Sequence, residues 1–200
     1  MTRCSWASEN DEMGEYHDRE WGFPVVDDRR LFEKLSLEGF QAGLSWRTIL
    51  AKRPNFRKAF DDFDVEAIAA YTEDDVVGLL GDAGIVRHRG KIEAVVNNAA
   101  RAIELVEKEG SLAGYLWRYE PDPATTSRPG EITDAWLAQA TTSPESVALS
   151  KDLKRRGWRF VGPTTAYAFM QAMGLVNDHS PGCVSRAEVE SARARLTRPS

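Results

Sequence analysis

Apolar residues recur along this chain at helical spacing and hardly ever alternate. The clearest run is His88 to Glu109, where Ile92, Val95, Val96, Ala99, Ile103 and Val106 keep to the i, i+3, i+4, i+7 rule and Gly110 marks the stop. Upstream, Asp27-Asp28 offers a cap for a helix carrying Leu31, Leu35 and Ala42 on one stripe. Pro54 suits a first helical position before Asn55 to Phe60. Asp64 caps Val65 to Tyr71, and Thr72 with Asp75 forms a variant capping box before Val76 to Leu80. Downstream, Ser111 starts a short helix. Ser143-Pro144-Glu145 starts one ending at Gly157, and Pro163 starts one reaching Met173. Glu120 to Gly130, with Pro121, Pro123 and Pro129, reads as the one long loop, and polar Arg186 to Ser200 as a flexible, frayed tail. The expected class is all-α, with no internal repeat.

Composition sharpens this only a little. The chain has 200 residues, 42% hydrophobic and 28% charged, which suits one globular domain with its own core and excludes collagen-like or natively disordered chains. No uncharged apolar run approaches the roughly 18 residues of a membrane span. The segment Met1 to Trp6 has no apolar signal core, so cytoplasmic residence is the expectation. Net charge is -5, so nucleic-acid binding would need a local basic patch. Two such segments exist: Arg87, His88, Arg89 and Lys91 in one, and Lys151, Lys154, Arg155, Arg156 and Arg159 in the other. Both also suit solvated helix ends.

The chain has only two Cys and three His. Cys4 and His17 lie near one end; His179 and Cys183 lie near the other, spaced H-x3-C with Pro181-Gly182 favouring a turn. Two thiolates and two imidazoles are a complete tetrahedral zinc set. Such a set would tie the two ends of the chain together, and with every position filled by protein the metal would be structural. On spacing alone, ordinary buried cysteines and surface histidines remain an equal reading.

Leu79 to Ile92 reads as a helix-hairpin-helix. Gly84 would supply the positive φ of a tight hairpin and Ile85-Val86 would anchor it. The amides opening the second helix, with Arg87, Arg89 and Lys91, would hold a phosphate without reading sequence. A plain helix connection is the alternative.

Trp6, Tyr16, Trp21, Phe23 and Trp46 crowd the first quarter, together with Glu38 in an otherwise apolar stretch. Gly39 and Gly43 follow that carboxylate in the same stretch and suggest a backbone that something must approach. Aromatic faces with one acceptor suit a flipped base, and cation–π attraction would favour a charged one. A Trp-rich core with a surface Glu38 is the alternative.

These stretches together resemble DNA-3-methyladenine glycosylase I, a family of the helix-hairpin-helix DNA glycosylase superfamily. The likeness runs from Arg3-Cys4 to Cys183 through Tyr16-His17-Asp18-Arg19-Glu20-Trp21-Gly22, Leu37-Glu38-Gly39, Ala42-Gly43-Leu44-Ser45-Trp46, Asp82-Ala83-Gly84-Ile85, Arg87-His88-Arg89-Gly90-Lys91-Ile92, Leu149-Ser150-Lys151, Arg156-Gly157, Phe160-Val161-Gly162 and Gly174 to His179. It implies a two-lobed all-α glycosylase domain over residues 1–185. The hairpin element falls at about 74–109, and a zinc-stapled lobe is built from 1–25 and 175–185. It implies one structural Zn2+ on Cys4, His17, His179 and Cys183, and a base pocket of Trp6, Tyr16, Trp21, Glu38 and Trp46. DNA contacts would come from Gly84, Arg87, Arg89 and Lys91. The implied reaction is hydrolysis of the N-glycosidic bond of 3-methyladenine in alkylated double-stranded DNA, by a bacterial monomer associated with the nucleoid.

A base methylated at N3 is cationic and already a good leaving group, so the enzyme need only extrude it, hold it and admit water. Many superfamily relatives place a catalytic Asp after the hairpin. Here no Asp occurs between Asp82 and Asp122, which fits a family lacking that residue, and the resemblance implies Glu38 as the catalytic candidate. Its implied role is to accept from the base and stabilise the charged state, not to act as general base. The competing class is a zinc-stapled hairpin module that binds DNA without chemistry. A zinc hydrolase is disfavoured because no ligand position stays open.

Overall fold

A computed structural model describes residues 2–7, 12–126 and 132–200. Asp27 opens α2 (Asp28–Gln41) by accepting from the Arg30 amide, as its position before the apolar stripe dictates. Asp28 reaches further: its two carboxylate oxygens accept from the amides of Leu112 and Ala113, at the start of α7 (Leu112–Trp117). One acidic pair therefore caps two helices 84 residues apart in sequence.

The remaining elements are α1 (Glu12–Arg19), α3 (Trp46–Ala59), a 3-10 turn (Asp61–Phe63), α4 (Val65–Ala69), α5 (Glu73–Gly81), α6 (Arg89–Glu109), α8 (Asp134–Leu137), α9 (Pro144–Arg155), α10 (Pro163–Ala172) and α11 (Arg186–Arg195). Local capping chemistry explains most starts. Asp64 holds the amides of Glu66 and Ala67, Asp75 takes the Thr72 amide, Ser111 takes that of Gly114, and Ser143 that of Ser146. Gly110 ends α6 at φ 90°. Among the described residues there is no strand; the sole β-type pairing is a parallel bridge between Thr2 and Cys183, continued by the Val184 amide donating to the Thr2 carbonyl at 3.0 Å.

The core is one continuous cluster. Leu31, Phe32 and Leu35 of α2 meet Ile92, Val95 and Ala99 of α6, and Phe169 and Met170 of α10. Of the stripe expected on α6, Ile92, Val95 and Ala99 are buried while Val96, Ile103 and Val106 are half-buried; on α2, Leu31 and Leu35 are buried, but Ala42 falls just past the helix and is exposed. A stack of Phe40, Phe56, Phe60 and Phe63 fills the gap between α2 and α3. A satellite cluster of Met13, Tyr16 and Leu50, with Trp21 and Trp46 against it, joins α1 to α3.

Three expectations change. Pro54 does not start a helix: it lies inside α3, which Ser45 opens by accepting from the Thr48 amide. The helix forgoes one backbone bond there and continues, because Phe56 and Phe60 are fully buried beyond it. The chain after Cys183 is not a frayed tail but α11, anchored by fully buried Val189. Arg193 pairs with Glu120 at 2.9 Å and Arg198 pairs with the same carboxylate at 2.7 Å. Of the expected loop, residues 120–126 include a turn held by Asp122, whereas 127–131, with Pro129 and Gly130, lie outside the described residues.

Candidate active site and metal centre

Cys4, His17, His179 and Cys183 converge although they come from opposite ends of the chain. All four are buried, and their donor atoms lie within 4.8 Å of one another. Cys183 Sγ is 3.4 Å from His17 Nε2 and 3.4 Å from His179 Nδ1, and Cys4 Sγ is 3.7 Å from His179 Nδ1. A tetrahedral zinc with bonds of about 2.0 Å to nitrogen and 2.3 Å to sulfur has sulfur–nitrogen edges of roughly 3.5 Å, so the spacing fits.

The second nitrogen of each imidazole is also held. His17 Nδ1 meets Asp18 Oδ1 at 2.8 Å, and Arg3 donates to that same carboxylate at 2.7 Å. The Arg3 bond keeps Asp18 ionised, with its pKa near 2. His179 Nε2 meets the Trp21 carbonyl at 3.0 Å. Such outer partners fix ring orientation and leave the inner nitrogen free as a lone-pair donor. Burial lowers the His179 pKa to about 4, so its ring is neutral, as a ligand must be. Burial raises the Cys4 thiol to about 11; ionising it in so dry a site calls for a cation beside it.

This lobe backs a cavity. Trp6 lies two residues from Cys4, and Tyr16 adjoins His17. The Trp6 ring packs edge-on to Trp21 at 5.0 Å and to His17 at 5.2 Å, and Trp21 meets His179 at 4.7 Å. Beyond these rings a cavity of about 380 Å³ is lined by Trp6, Tyr16, Trp21, Glu38 and Trp46, together with Gln41, Ser45 and Gln171. All five residues expected at a base pocket thus face one space. Tyr16 and Trp46 rings lie 5.4 Å apart, and Trp6 is 38% exposed, at the rim.

Glu38 is 5% exposed, not at the surface. Burial pushes its carboxyl pKa up, against the pull of Lys34, whose Nζ lies 3.4 Å from Glu38 Oε1. Lys34 was not anticipated. It stands one turn before Glu38 on α2, and that i,i+4 Lys–Glu spacing is the one sequence signal that could have marked it. Its ammonium sits 3.6 Å from the Trp46 ring centroid and donates to the Tyr16 hydroxyl.

The two glycines after Glu38 serve the protein itself. A Cβ at Gly39 would lie 3.4 Å from Phe160 Cβ, so what approaches is the loop after α9. Gly43 has open space around it and is required by its φ of 78°.

The hairpin departs furthest from expectation. Gly84 does not adopt positive φ; it is needed because a Cβ would meet Asp82 Oδ1 at 2.9 Å and Asn55 Cβ at 3.1 Å, where Asp82 takes the Gly84 amide. Lys91 is not a free cation. It is 6% exposed and donates to the carbonyls of Phe40 and Ala42 at 2.9 and 2.6 Å, closing the C-terminal end of α2. Arg89 is paired with Glu73 at 2.7 Å and Glu93 at 3.2 Å. Arg87 is exposed beside His88, whose ring accepts from the Lys91 amide to open α6. In the second basic segment, Arg156 is held by Asp152 and Glu109.

Comparison with known proteins agrees with this geometry. The methyladenine glycosylase family model matches residues 6–186. The chain is similar to the DNA-3-methyladenine glycosylase 1 of Escherichia coli (strain K12), 45% identical over 92% of this chain and 96% of that one. It is 44% identical to the DNA-3-methyladenine glycosylase of Haemophilus influenzae, over 91% and 96% of the two chains. The solved structure of 3-methyladenine DNA glycosylase I from Staphylococcus aureus, described for its recognition of 3-methyladenine, superposes with a TM-score of 0.84 at 36% identity, covering 92% of this chain and 96% of that one. The chain belongs to the methyladenine glycosylase family.

Proposed function

We propose that this protein is a base-excision repair glycosylase that hydrolyses the N-glycosidic bond of 3-methyladenine in alkylated DNA and leaves an abasic site. The observation that carries the reading is the buried Glu38 carboxylate facing an aromatic cavity of about 380 Å³ in a chain of this family. A charge is costly to bury and persists where it has work to do. A DNA-binding module would need neither that carboxylate nor the cavity.

In this reading the damaged nucleotide is extruded and its base enters the cavity that Trp6, Tyr16, Trp21, Glu38 and Trp46 line, stacking on their rings. Methylation at N3 leaves the base positively charged, so the glycosidic bond is weakened before binding. Glu38 accepts from the base edge and favours its charged form over a neutral purine; water attacks the sugar as the base departs. Cys4, His17, His179 and Cys183 would hold one structural zinc. That ion would fix the Trp6, Tyr16 and Trp21 wall, with all four positions filled by protein. The hairpin would engage a phosphate through the Gly84 turn and Arg87. Arg89 would contribute by exchanging a carboxylate for a phosphate. Lys91 has no such role.

Incubating the protein with methylated duplex DNA and separating the released bases tests the reading. Release of 3-methyladenine, with little release of neutral purines, is the expected result. DNA binding without base release would favour the binding-module reading.

A further inference from the structure

Lys34 touches three of the five residues of the proposed pocket, Tyr16, Glu38 and Trp46, yet it does not line the 380 Å³ cavity. It lies behind the wall, beside a small void that it shares with Tyr16, Trp46, Glu20 and Arg53. From there its ammonium contacts Glu38 at 3.4 Å, stands 3.6 Å from the Trp46 centroid, and donates to the Tyr16 hydroxyl.

We propose that Lys34 is a positioning residue that sets the electrical state of the base pocket: it holds Glu38 ionised and turns the Tyr16 hydroxyl proton toward the cavity. The inference rests on the glycosylase reading and adds a residue to it. An ammonium has three donors and no acceptor. Tyr16 therefore accepts from Lys34, and its own proton points elsewhere; the open direction is the cavity. Glu38 is buried, and a buried carboxylate without a cation takes up a proton. With Lys34 beside it, it stays an acceptor. Because the pair is close to neutral overall, the pocket would read a cationic base by hydrogen bonds and stacking more than by net charge. It would then release the departing base easily.

The charged surroundings are few. Glu38 faces Lys34 on its own helix and the Tyr16 phenol on α1; Arg47 on α3 borders the same cavity. Lys34 faces, besides Glu38, Arg53 on α3 and Glu20 after α1. Those two are joined to each other at 2.6 and 2.8 Å. Burial lowers the Lys34 pKa to about 8, so its own titration is observable near neutral pH.

The test compares the parent with Lys34→Met, which keeps length but removes charge, and Lys34→Arg, which keeps charge. The Glu38 carboxyl is followed by carbon-13 NMR against pH without DNA. In Lys34→Met the midpoint should rise by about one unit or more, and Lys34→Arg should restore it. With methylated duplex, Lys34→Met should lose excision as pH falls from 8 to 6, by about tenfold more than the parent. An unchanged Glu38 midpoint, or equal loss at every pH, would overturn the proposal and leave Lys34 a packing residue. Should Lys34→Met fail to fold, the parent decides. Its Glu38 resonance must move as Lys34 titrates, and a flat response overturns the inference. A parent that releases no 3-methyladenine would overturn the glycosylase reading separately, whatever the Glu38 titration shows.

Discussion

The Cys/His cluster and the hairpin are both short segments rich in chemistry, and the fold uses them differently. In the lobe, all four residues meet within 4.8 Å. At the hairpin, Lys91 is spent on helix α2 and Arg89 on two glutamates. The difference is one of donor chemistry. A thiolate and an imidazole suit few partners, so four of them in one chain point to a shared ion. A lysine or arginine suits any carbonyl or carboxylate, and whether one is available depends on neighbours far away in sequence.

Removing one ligand should give the largest effect. Cys183→Ala should lose bound zinc and unfold at markedly lower temperature, with the energy of a structural zinc, on the order of 10 kcal/mol, as an upper limit. Elemental analysis and thermal unfolding check it; a variant of parental Tm without zinc would show the lobe to be self-sufficient. Acidification should act on the same lobe. In the metal-free fold burial holds the His179 pKa at about 4 against about 6.5 in an unfolded chain, and a bound zinc would hold the ring neutral to lower pH still, so between those values the unfolded state binds more protons. The neutral-ring contribution is complete above about 6.5 and is lost as pH falls toward 4, which Tm measured across that range should show.

At the hairpin, Lys91→Met should cost stability, about 1–3 kcal/mol, by orphaning two carbonyls. It should leave the salt dependence of DNA affinity alone. Arg87→Ala should do the reverse: no change in Tm, and a log–log salt slope flatter by up to about 0.9. Arg89→Ala should change the slope less, because its pairs with Glu73 and Glu93 must first be exchanged. If Lys91→Met flattens the slope as much as Arg87→Ala, the two regions are alike after all.

The legible parts of the fold were those written locally. Caps at Asp27, Asp64, Ser111 and Ser143 stand next to the helices they open, and the α6 stripe lies in one continuous run. Helix α11 escaped because its sequence is polar and one residue, Val189, carries its burial. Helix α3 was cut short by reading Pro54 as a start when burial of Phe56 and Phe60 carried the helix through. At the site, the aromatic residues and Glu38 were visible as a cluster out of place, but Lys34 was not. A lysine in a helix is ordinarily solvated, and only the fold places Tyr16 and Trp46 around it. The torsion argument for Gly84 does not hold, since its φ is not positive; what crowds the position is Asp82 Oδ1 and Asn55, which only the fold brings beside it.

Single-turnover excision of 3-methyladenine by Glu38→Gln, against the parent on the same methylated duplex, bears most directly on the proposed pocket. A hydrogen bond to a charged group contributes about 1.5–3 kcal/mol, so the variant should be slower by about ten- to a hundredfold. It will also lose some stability, since Lys34 is left buried without its carboxylate. Zinc content and affinity for undamaged duplex should match the parent. Excision at the parental rate by a folded, zinc-loaded Glu38→Gln protein would contradict the account and leave Glu38 a structural partner of Lys34.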